Sequence, residues 1–191
     1  VANYAAGTYT FTINAINKEN DYILDSNYVS ISFTINEIVS YLPTDIQGFV
    51  TGDGDGGYVR AVLDETTGHA VINPDGEKGW GWLYPETGVS LDLNSNPFIV
   101  VSAVSISKGY LARAIYDGVN TIVMKNDTTV TTNDLTIVMP VKVNVDGNSI
   151  GSGVIENYKF GFGFINNSVN VLSAIRIITV TTGEVEEEKE T

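Results

Sequence analysis

The chain has 191 residues, of which 43% are hydrophobic and 17% are charged, and its net charge at pH 7 is −13. This composition can fill a hydrophobic core and argues against disorder. The excess of acidic residues disfavours binding to nucleic acid or to anionic lipid, because both are negatively charged.

The chain contains no cysteine. This excludes disulfides, thiolate zinc sites and cysteine nucleophiles. Small secreted eukaryotic domains usually carry disulfides, so their absence favours a bacterial or archaeal protein. No apolar run approaches the roughly 20 residues of a membrane span. We therefore expect an extracellular or cell-surface protein without membrane insertion.

Short strands dominate the predicted secondary structure. Residues 8–16 and 28–35 alternate apolar and polar side chains with the period of a strand. Similar segments follow, separated by turns rich in Gly, Asn, Asp and Pro. They cover residues 58–63, 89–93, 98–106, 111–116, 121–124, 135–145, 158–165 and 171–181. About ten strands at this spacing predict an all-β sandwich of two antiparallel sheets. The strongest helical signal is a single turn at residues 37–42.

The same patterns divide the chain into three segments. Residues 1–38 form a predicted N-terminal β-hairpin, and residues 45–182 form the predicted jelly-roll sandwich. Residues 183–191 form an acidic tail or linker, because runs of like charge are usually solvated. A pair of strands alone is marginally stable in water. The hairpin must therefore join the sandwich, pack on a neighbour or complete another subunit.

Aromatic residues at alternate positions form the strongest candidate ligand site. Trp80, Trp82 and Tyr84 would lie on one face of a strand, where their rings could stack on the C–H faces of sugars. The alternative is that this face is core, because large aromatic side chains dominate the cores of sandwiches. Arg60 and Arg113 could donate hydrogen bonds to sugar hydroxyls or pair with carboxylates.

A second candidate site is a glycine-rich segment with acidic residues. Asp53 and Asp55 alternate with glycines, and carboxylates on a flexible loop suit calcium, which prefers several oxygen ligands. Asp64, Asp75 or Asp92 could supply a further oxygen to a structural Ca²⁺. The spacing does not fit an EF-hand loop, and a plain Gly/Asp turn between strands remains the alternative.

Catalysis has little support in the sequence. His69 is the only histidine, no G-x-S-x-G motif accompanies it, and we expect it in a loop. The carboxylates show no spacing that marks a catalytic pair. We therefore expect a protein that is not an enzyme. Gly161 and Gly163 alternate with phenylalanines, which gives one strand an aromatic face and a bare face. The bare face could let another backbone or a ligand approach closely, or it could pack under a large side chain from the opposite sheet.

Two stretches of the sequence resemble known families. Residues 79–118 resemble the middle of jelly-roll carbohydrate-binding-like modules of bacterial surface glycosidases, which implies binding of a polysaccharide or other glycan. Residues 5–35 resemble the last two strands of a bacterial fibronectin type III or Ig-like domain. The first resemblance is carried by Trp80, Trp82, Leu91-Asp92-Leu93 and Asn96-Pro97-Phe98, and the second by Gly7-Thr8-Tyr9, Asp25, Ser26 and Tyr28.

Two functions remain open at this point. The first is a non-catalytic extracellular carbohydrate-binding module of a larger surface or secreted protein. The second is a structural subunit of a surface layer, adhesin stalk or extracellular filament. Such a subunit would self-associate through its N-terminal strands by strand donation, because an exposed strand edge can pair with another chain.

Overall fold

The computed structural model describes residues 5–13, 28–51, 60–116, 120–129, 131–143 and 146–188. Two antiparallel sheets pack face to face, so the predicted jelly-roll β-sandwich is confirmed. The strands are β1 Gly7–Ile13, β2 Tyr28–Tyr41, β3 Val50–Thr51, β4 Ala61–Asp64, β5 His69–Ile72, β6 Gly81–Tyr84, β7 Val89–Asp92, β8 Phe98–Ile106, β9 Tyr110–Tyr116, β10 Asn120–Asp127, β11 Thr132–Pro140, β12 Val154–Phe164 and β13 Asn170–Glu188. A short helix, α1, spans Pro43–Gln47, and a 3-10 helix spans Leu93–Ser95.

The first sheet has seven strands arranged around β13. This strand pairs with β8 along its N-terminal half and with β5 at its start. It pairs with β2 from Ile175 opposite Tyr41 to Glu188 opposite Tyr28. β11 adds to β8, β4 adds to β5, and β1 adds to β2. The N-terminal hairpin therefore joins the sandwich through β13, which is one of the arrangements expected for it.

The second sheet has six strands in the order β10-β9-β12-β6-β3, and β7 pairs with β12. The inner face of β12 carries Phe160, Phe162 and Phe164, all of which are fully buried against the first sheet. They belong to the same core cluster as aliphatic residues of β8 such as Ile99 and Val101. Burial of each such side chain contributes about 1.5–3 kcal/mol to the stability of the fold. The aromatic face of β12 is therefore a main part of the hydrophobic core.

Several local predictions are corrected by the structure. Residues 37–41 continue β2 instead of forming a helical turn, and α1 begins after them at Pro43. Proline suits the first position of a helix, since its missing N–H would have no partner there. The Asp45 carboxylate accepts a hydrogen bond from the Leu42 N–H at 2.9 Å. His69 begins β5 and does not lie in a loop.

β2 and β13 both run across predicted segment boundaries. β2 continues beyond residue 38, and β13 continues beyond residue 182 through most of the acidic segment, paired with β2. Backbone pairing with a neighbouring strand orders these residues in spite of their like charges. The division of the chain into three segments stays a prediction.

Candidate ligand-binding site

The outer face of the six-stranded sheet gathers the aromatic residues singled out in the sequence. Residues that pair across antiparallel strands share a face of the sheet. Trp82 pairs with Gly163, and Arg113 pairs with Gly161. Leu83 pairs with Phe162 and belongs to the core. Trp82 and Arg113 therefore lie on the face that points away from the core, above the glycines of β12.

Trp82 is packed onto the bare face of β12. A Cβ atom added to Gly161 would lie 2.2 Å from Cε3 of Trp82, so only glycine leaves room for the indole ring. Trp82 is 2% exposed, with the Arg113 Cζ 4.5 Å and the Tyr84 ring 5.0 Å from its ring centroid. The expectation that Trp82 is an exposed stacking ring is therefore corrected. A large side chain from the neighbouring strand of the same sheet covers the glycines.

Trp80 differs from Trp82, because it is 42% exposed. It lies immediately before β6, beside a groove of about 330 Å³ on this outer face. The groove surface is almost entirely formed by carbon atoms, although two of its residues have polar side chains. Its lining residues are Trp80, Leu111, Arg113, Asn126 and Ile165.

A set of hydrogen bonds holds the segment before Trp80 against the turn after β12. The buried Asn73 amide donates to the carbonyl oxygens of Lys78 and Ser168, at 3.2 and 3.0 Å. The Asn167 N–H donates to the Gly79 carbonyl at 3.0 Å. Because Ile165 belongs to the same turn, these bonds fix Trp80 relative to the far wall of the groove.

Tyr84 lies beyond Trp82 on the same face and is half-buried. The Lys159 Nζ lies 5.5 Å from its ring centroid and donates a hydrogen bond to the carbonyl oxygen of Glu86. The structure thus brings Trp80, Trp82 and Tyr84 to one face, as the spacing predicted, and of the three only Trp80 is exposed. Cations over aromatic faces are favourable contacts, so Arg113 stabilises the position of Trp82 and Lys159 that of Tyr84.

Arg60 lies elsewhere. It precedes β4 in the seven-stranded sheet and pairs with Asp75 at 3.3 Å, with both side chains more than half exposed. Of the two roles predicted for Arg60, the structure shows the carboxylate pair. Such an exposed pair contributes at most about 1 kcal/mol.

The predicted calcium ligands are only partly described. Asp53 and Asp55 lie outside the described residues. Asp64 accepts hydrogen bonds from the Thr66 N–H and the Thr67 hydroxyl, each at 2.9 Å, and these bonds lower the pKa of its carboxyl. Within the described part of the chain, no three His, Asp or Glu residues cluster as a metal site would require.

Two tyrosines beneath the site have raised pKa values. Burial, assisted by the negative charge of Asp127, raises the pKa of Tyr110 to about 12. Burial alone raises the pKa of Tyr158 far above its ordinary value. Its hydroxyl has no hydrogen-bond partner among the described residues. Both side chains point into the core, so they support the sheet and do not reach a ligand.

Sequence reasoning missed most of the groove. Leu111 and Ile165 lie within predicted strands, and Asn73 and Asn126 lie between predicted strands, so none of the four was a candidate. Strand alternation could have placed Leu111 on the outer face, because its neighbours Tyr110 and Ala112 belong to the core. The pairing of β9 with β12, which brings Leu111 opposite Gly163, is a long-range contact without a local signal.

Comparison with known proteins gives fold-level likenesses only. No protein family matches the sequence, and no curated protein matches it significantly. One similar solved structure is a low-affinity xylan-binding module, CBM86, from Roseburia intestinalis, with a TM-score of 0.47 and 9% identity over 75% of this chain and 95% of that one.

A second similar structure is an exo-β-1,3-galactanase from Phanerochaete chrysosporium with β-1,3-galactotriose. Its TM-score is 0.39 at 12% identity, over 81% of this chain and 42% of the galactanase. Both TM-scores lie below 0.5, so neither likeness assigns a ligand. No helix among the described residues is long and apolar enough to span a membrane.

Proposed function

We propose that this chain is a non-catalytic carbohydrate-binding module of a larger extracellular or surface protein. The observation that carries the proposal is the exposure of Trp80 beside a groove, on a sheet face whose second tryptophan is buried. An exposed indole on a rigid sheet can stack on the C–H face of a sugar ring, and the exposed Asn126 offers an amide at the edge.

The binding is expected to be weak. One largely exposed ring and few polar groups offer limited contact area, and the saccharide loses freedom when it binds. We expect a dissociation constant of roughly 0.1–1 mM for an oligosaccharide. The acidic surface of the chain favours neutral polysaccharides, because anionic ones are repelled.

Affinity electrophoresis on a panel of neutral polysaccharides tests the proposal. The wild-type chain should be retarded by at least one of them, and Trp80→Ala should lose at least tenfold in affinity. Arg60→Gln is the matched control, because Arg60 is also exposed but lies in the other sheet. Retention of full affinity by a folded Trp80→Ala variant would contradict the proposal.

A structural role is the second candidate, and it is favoured by an apolar face near the N-terminus. Phe11 pairs with Ile31, and Ile31 pairs with Val185, so all three share one face of β1, β2 and β13. Phe11 and Val185 are 56% and 59% exposed, and Ile13 is 61% exposed on the same face. The opposite face is polar. Exposed apolar patches of this kind often mark contacts with another protein.

Light scattering over a range of protein concentrations tests the second candidate. Self-association that Phe11→Thr weakens, and that Thr10→Ser on the polar face leaves unchanged, supports a subunit role. A monomer at all concentrations contradicts it. Repeating the measurement and a thermal melt with calcium and with a chelator tests the structural Ca²⁺ predicted for Asp53, Asp55 and Asp64.

A further inference from the structure

We propose that β1, an edge strand of the seven-stranded sheet, pairs with β1 of a second copy of this chain. The two strands would run antiparallel about a two-fold axis at Thr10 and join the two sheets into one. The inference rests on the second candidate function, self-association through the N-terminal strands, and adds the contact and its register. It is independent of saccharide binding, because Trp80 lies beside a strand of the other sheet.

β1 lacks the protection that other edge strands of this protein have. A sheet edge exposes unpaired N–H and C=O groups, and proteins usually guard it with a short strand, a charge, a proline or a bulge. Among the described edge strands, β3, β4 and β7 have only two to four residues. β10 has a bulge beside Lys125, and β11 contains Asp134 and Pro140. β1 has seven residues without charge or proline, and it pairs with β2 without a register shift. Its outer side, which no described strand covers, is therefore open to another strand.

The sequence of β1 is self-complementary about Thr10. Threonines at positions 8, 10 and 12 alternate with Tyr9 and Phe11, so the order of residue classes is the same in both directions. A two-fold contact requires this property, because both chains contribute the same surface in opposite directions. Antiparallel pairing about Thr10 would place this threonine opposite its own copy. Tyr9 would lie opposite Phe11 of the second copy. Threonine pairs and aromatic pairs are both favourable across strands.

The pairing of β1 with β2 shows that such pairs form in this sheet. Phe33 of β2 stacks on Tyr9 and Phe11, with ring centroids 5.6 and 5.3 Å apart. On the opposite face, the hydroxyls of Thr8 and Thr34 form a hydrogen bond of 3.0 Å. Phe11 is still 56% exposed, so its ring has surface left for a further strand to cover. A second β1 would therefore extend both rows of contacts.

The distribution of charge allows this edge of an acidic chain to meet its own copy. The net charge is −13, yet residues 5–13 and 28–36 contain no Asp, Glu, Lys or Arg. The glutamates at the end of β13 pair with β2, so they lie two strands from the edge. Those of the two copies would lie about 24 Å apart across the joined sheet, since neighbouring strands are about 4.8 Å apart. This distance exceeds the Debye length of about 8 Å at physiological ionic strength, so their repulsion is screened.

The contact predicts a weak and closed dimer. One pair of seven-residue strands buries less than the roughly 1,200 Å² of a standard interface. We therefore expect a dissociation constant of roughly 0.1 mM. A two-fold contact uses the same edge of both chains and leaves none for a third chain. The inference thus favours a dimer over a filament built by strand donation.

Sedimentation equilibrium of the full chain, at protein concentrations on both sides of roughly 0.1 mM, tests the inference with two charge variants. Thr10 is exposed, so Thr10→Lys and Thr10→Glu should fold, which circular dichroism checks. Each variant alone should lose at least tenfold in dimer affinity, because like charges then meet at the axis. An equimolar mixture of the two should recover the dimer, because opposite charges then meet. Asn36→Lys is the matched control, since it places the same charge at an exposed position of β2 away from the axis, and it should dimerise like the wild type.

A cysteine variant repeats the test without adding a charge. The chain has no cysteine of its own. During air oxidation, Thr10→Cys should form a disulfide-linked dimer at least tenfold faster than Asn36→Cys, because residue 10 faces its own copy in the dimer. Equal rates for the two variants would overturn the inference even if the charge variants do not fold.

The outcomes separate the inference from the second candidate function. A wild-type monomer at all concentrations overturns both. Self-association that Thr10→Lys and Thr10→Glu each retain overturns the inference alone, because the chains then meet elsewhere on the apolar face. Self-association that both variants lose and their mixture does not recover also overturns it, since Thr10 then does not face its own copy. Species larger than a dimer overturn it as well and support a filament.

Discussion

The guanidinium of Arg113 rests on the indole of Trp82, with its Cζ 4.5 Å from the ring centroid. Beneath the indole lies Gly161, which is too close for any side chain. Glycine, indole and guanidinium thus form three layers on the outer face of the six-stranded sheet. Arg113 also lines the groove beside Trp80, so the packing of the buried tryptophan holds one of the groove residues in place.

Trp82→Ala is expected to destabilise the protein by about 3–5 kcal/mol, because truncating a buried tryptophan removes apolar contacts and leaves a cavity. Urea unfolding followed by circular dichroism measures the change. Trp82→Phe should cost clearly less, since its ring still covers the glycine. A Trp82→Ala variant as stable as the wild type would show that the indole is not packed as described.

Gly161→Ala is expected to destabilise the protein by about 1–3 kcal/mol, because its new methyl group overlaps the Trp82 ring. In the Trp82→Ala background the same substitution should cost much less, since the ring is gone. A double-mutant cycle of unfolding free energies measures this coupling. Additive effects would contradict the direct contact between Gly161 and Trp82.

Asn73→Ala is expected to destabilise the protein by about 1–3 kcal/mol, because the carbonyls of Lys78 and Ser168 lose a buried donor. It should also weaken saccharide binding, since Trp80 is no longer held beside Ile165. Asn73 has a positive φ of 55°, so Asn73→Gly is the control that removes the side chain without backbone strain. If a folded Asn73→Gly variant binds as tightly as the wild type, these hydrogen bonds do not position Trp80.

Tyr158→Phe is expected to stabilise the protein by about 1 kcal/mol, because it removes a buried hydroxyl that has no described partner. The substitution should also make the unfolding free energy less sensitive to alkaline pH. The folded-state pKa of Tyr158 is raised above its ordinary value of 10.0, so below about pH 10 both states keep the proton and the hydroxyl causes no pH dependence. As the pH rises further, only the unfolded chain releases the proton, and the free energy of unfolding falls.

Unfolding free energies of the wild type and of Tyr158→Phe between pH 8 and 11 check this prediction. Above pH 10 the unfolding free energy of the variant should fall less steeply with pH than that of the wild type. It should still fall, because the pKa of Tyr110 is also raised. Identical slopes would mean that Tyr158 reaches water in the folded state.

The two tryptophans should differ in accessibility to acrylamide. Trp82→Phe leaves the exposed Trp80, whose fluorescence should be quenched efficiently and emit at longer wavelength. Trp80→Phe leaves the buried Trp82, which should be quenched several-fold less. Similar quenching of the two variants would refute the difference in exposure on which the candidate site depends.

The sequence predicted the sheet architecture well, because alternation and turn residues are local signals. The strand at Phe98–Ile106 was predicted with its observed bounds. The short strands β3 and β5 were absent from the predicted set, since two to four residues give a weak periodic signal. β13 was cut short because its glutamates read as a solvated tail, although pairing with β2 extends it.

The candidate site was predicted only in part. Alternation placed Trp80 and Trp82 on one face, but it could not decide which ring faces water. That depends on Gly161, which lies 79 positions beyond Trp82 and joins it only through the pairing of β12 with β6. The groove also depends on long-range pairing. Leu111 and Arg113 of β9 come close to Trp80 only because β9 pairs with β12 and β12 pairs with β6.

Nuclear magnetic resonance of the indole N–H groups tests the central claim most directly. A ¹⁵N-labelled chain has two indole signals, assigned with Trp80→Phe and Trp82→Phe, and it is titrated with the neutral polysaccharide that retards the protein most. The account predicts that the Trp80 signal shifts in a saturable way and that the Trp82 signal moves much less. Binding that leaves the Trp80 signal unchanged would contradict the placement of the saccharide on this ring.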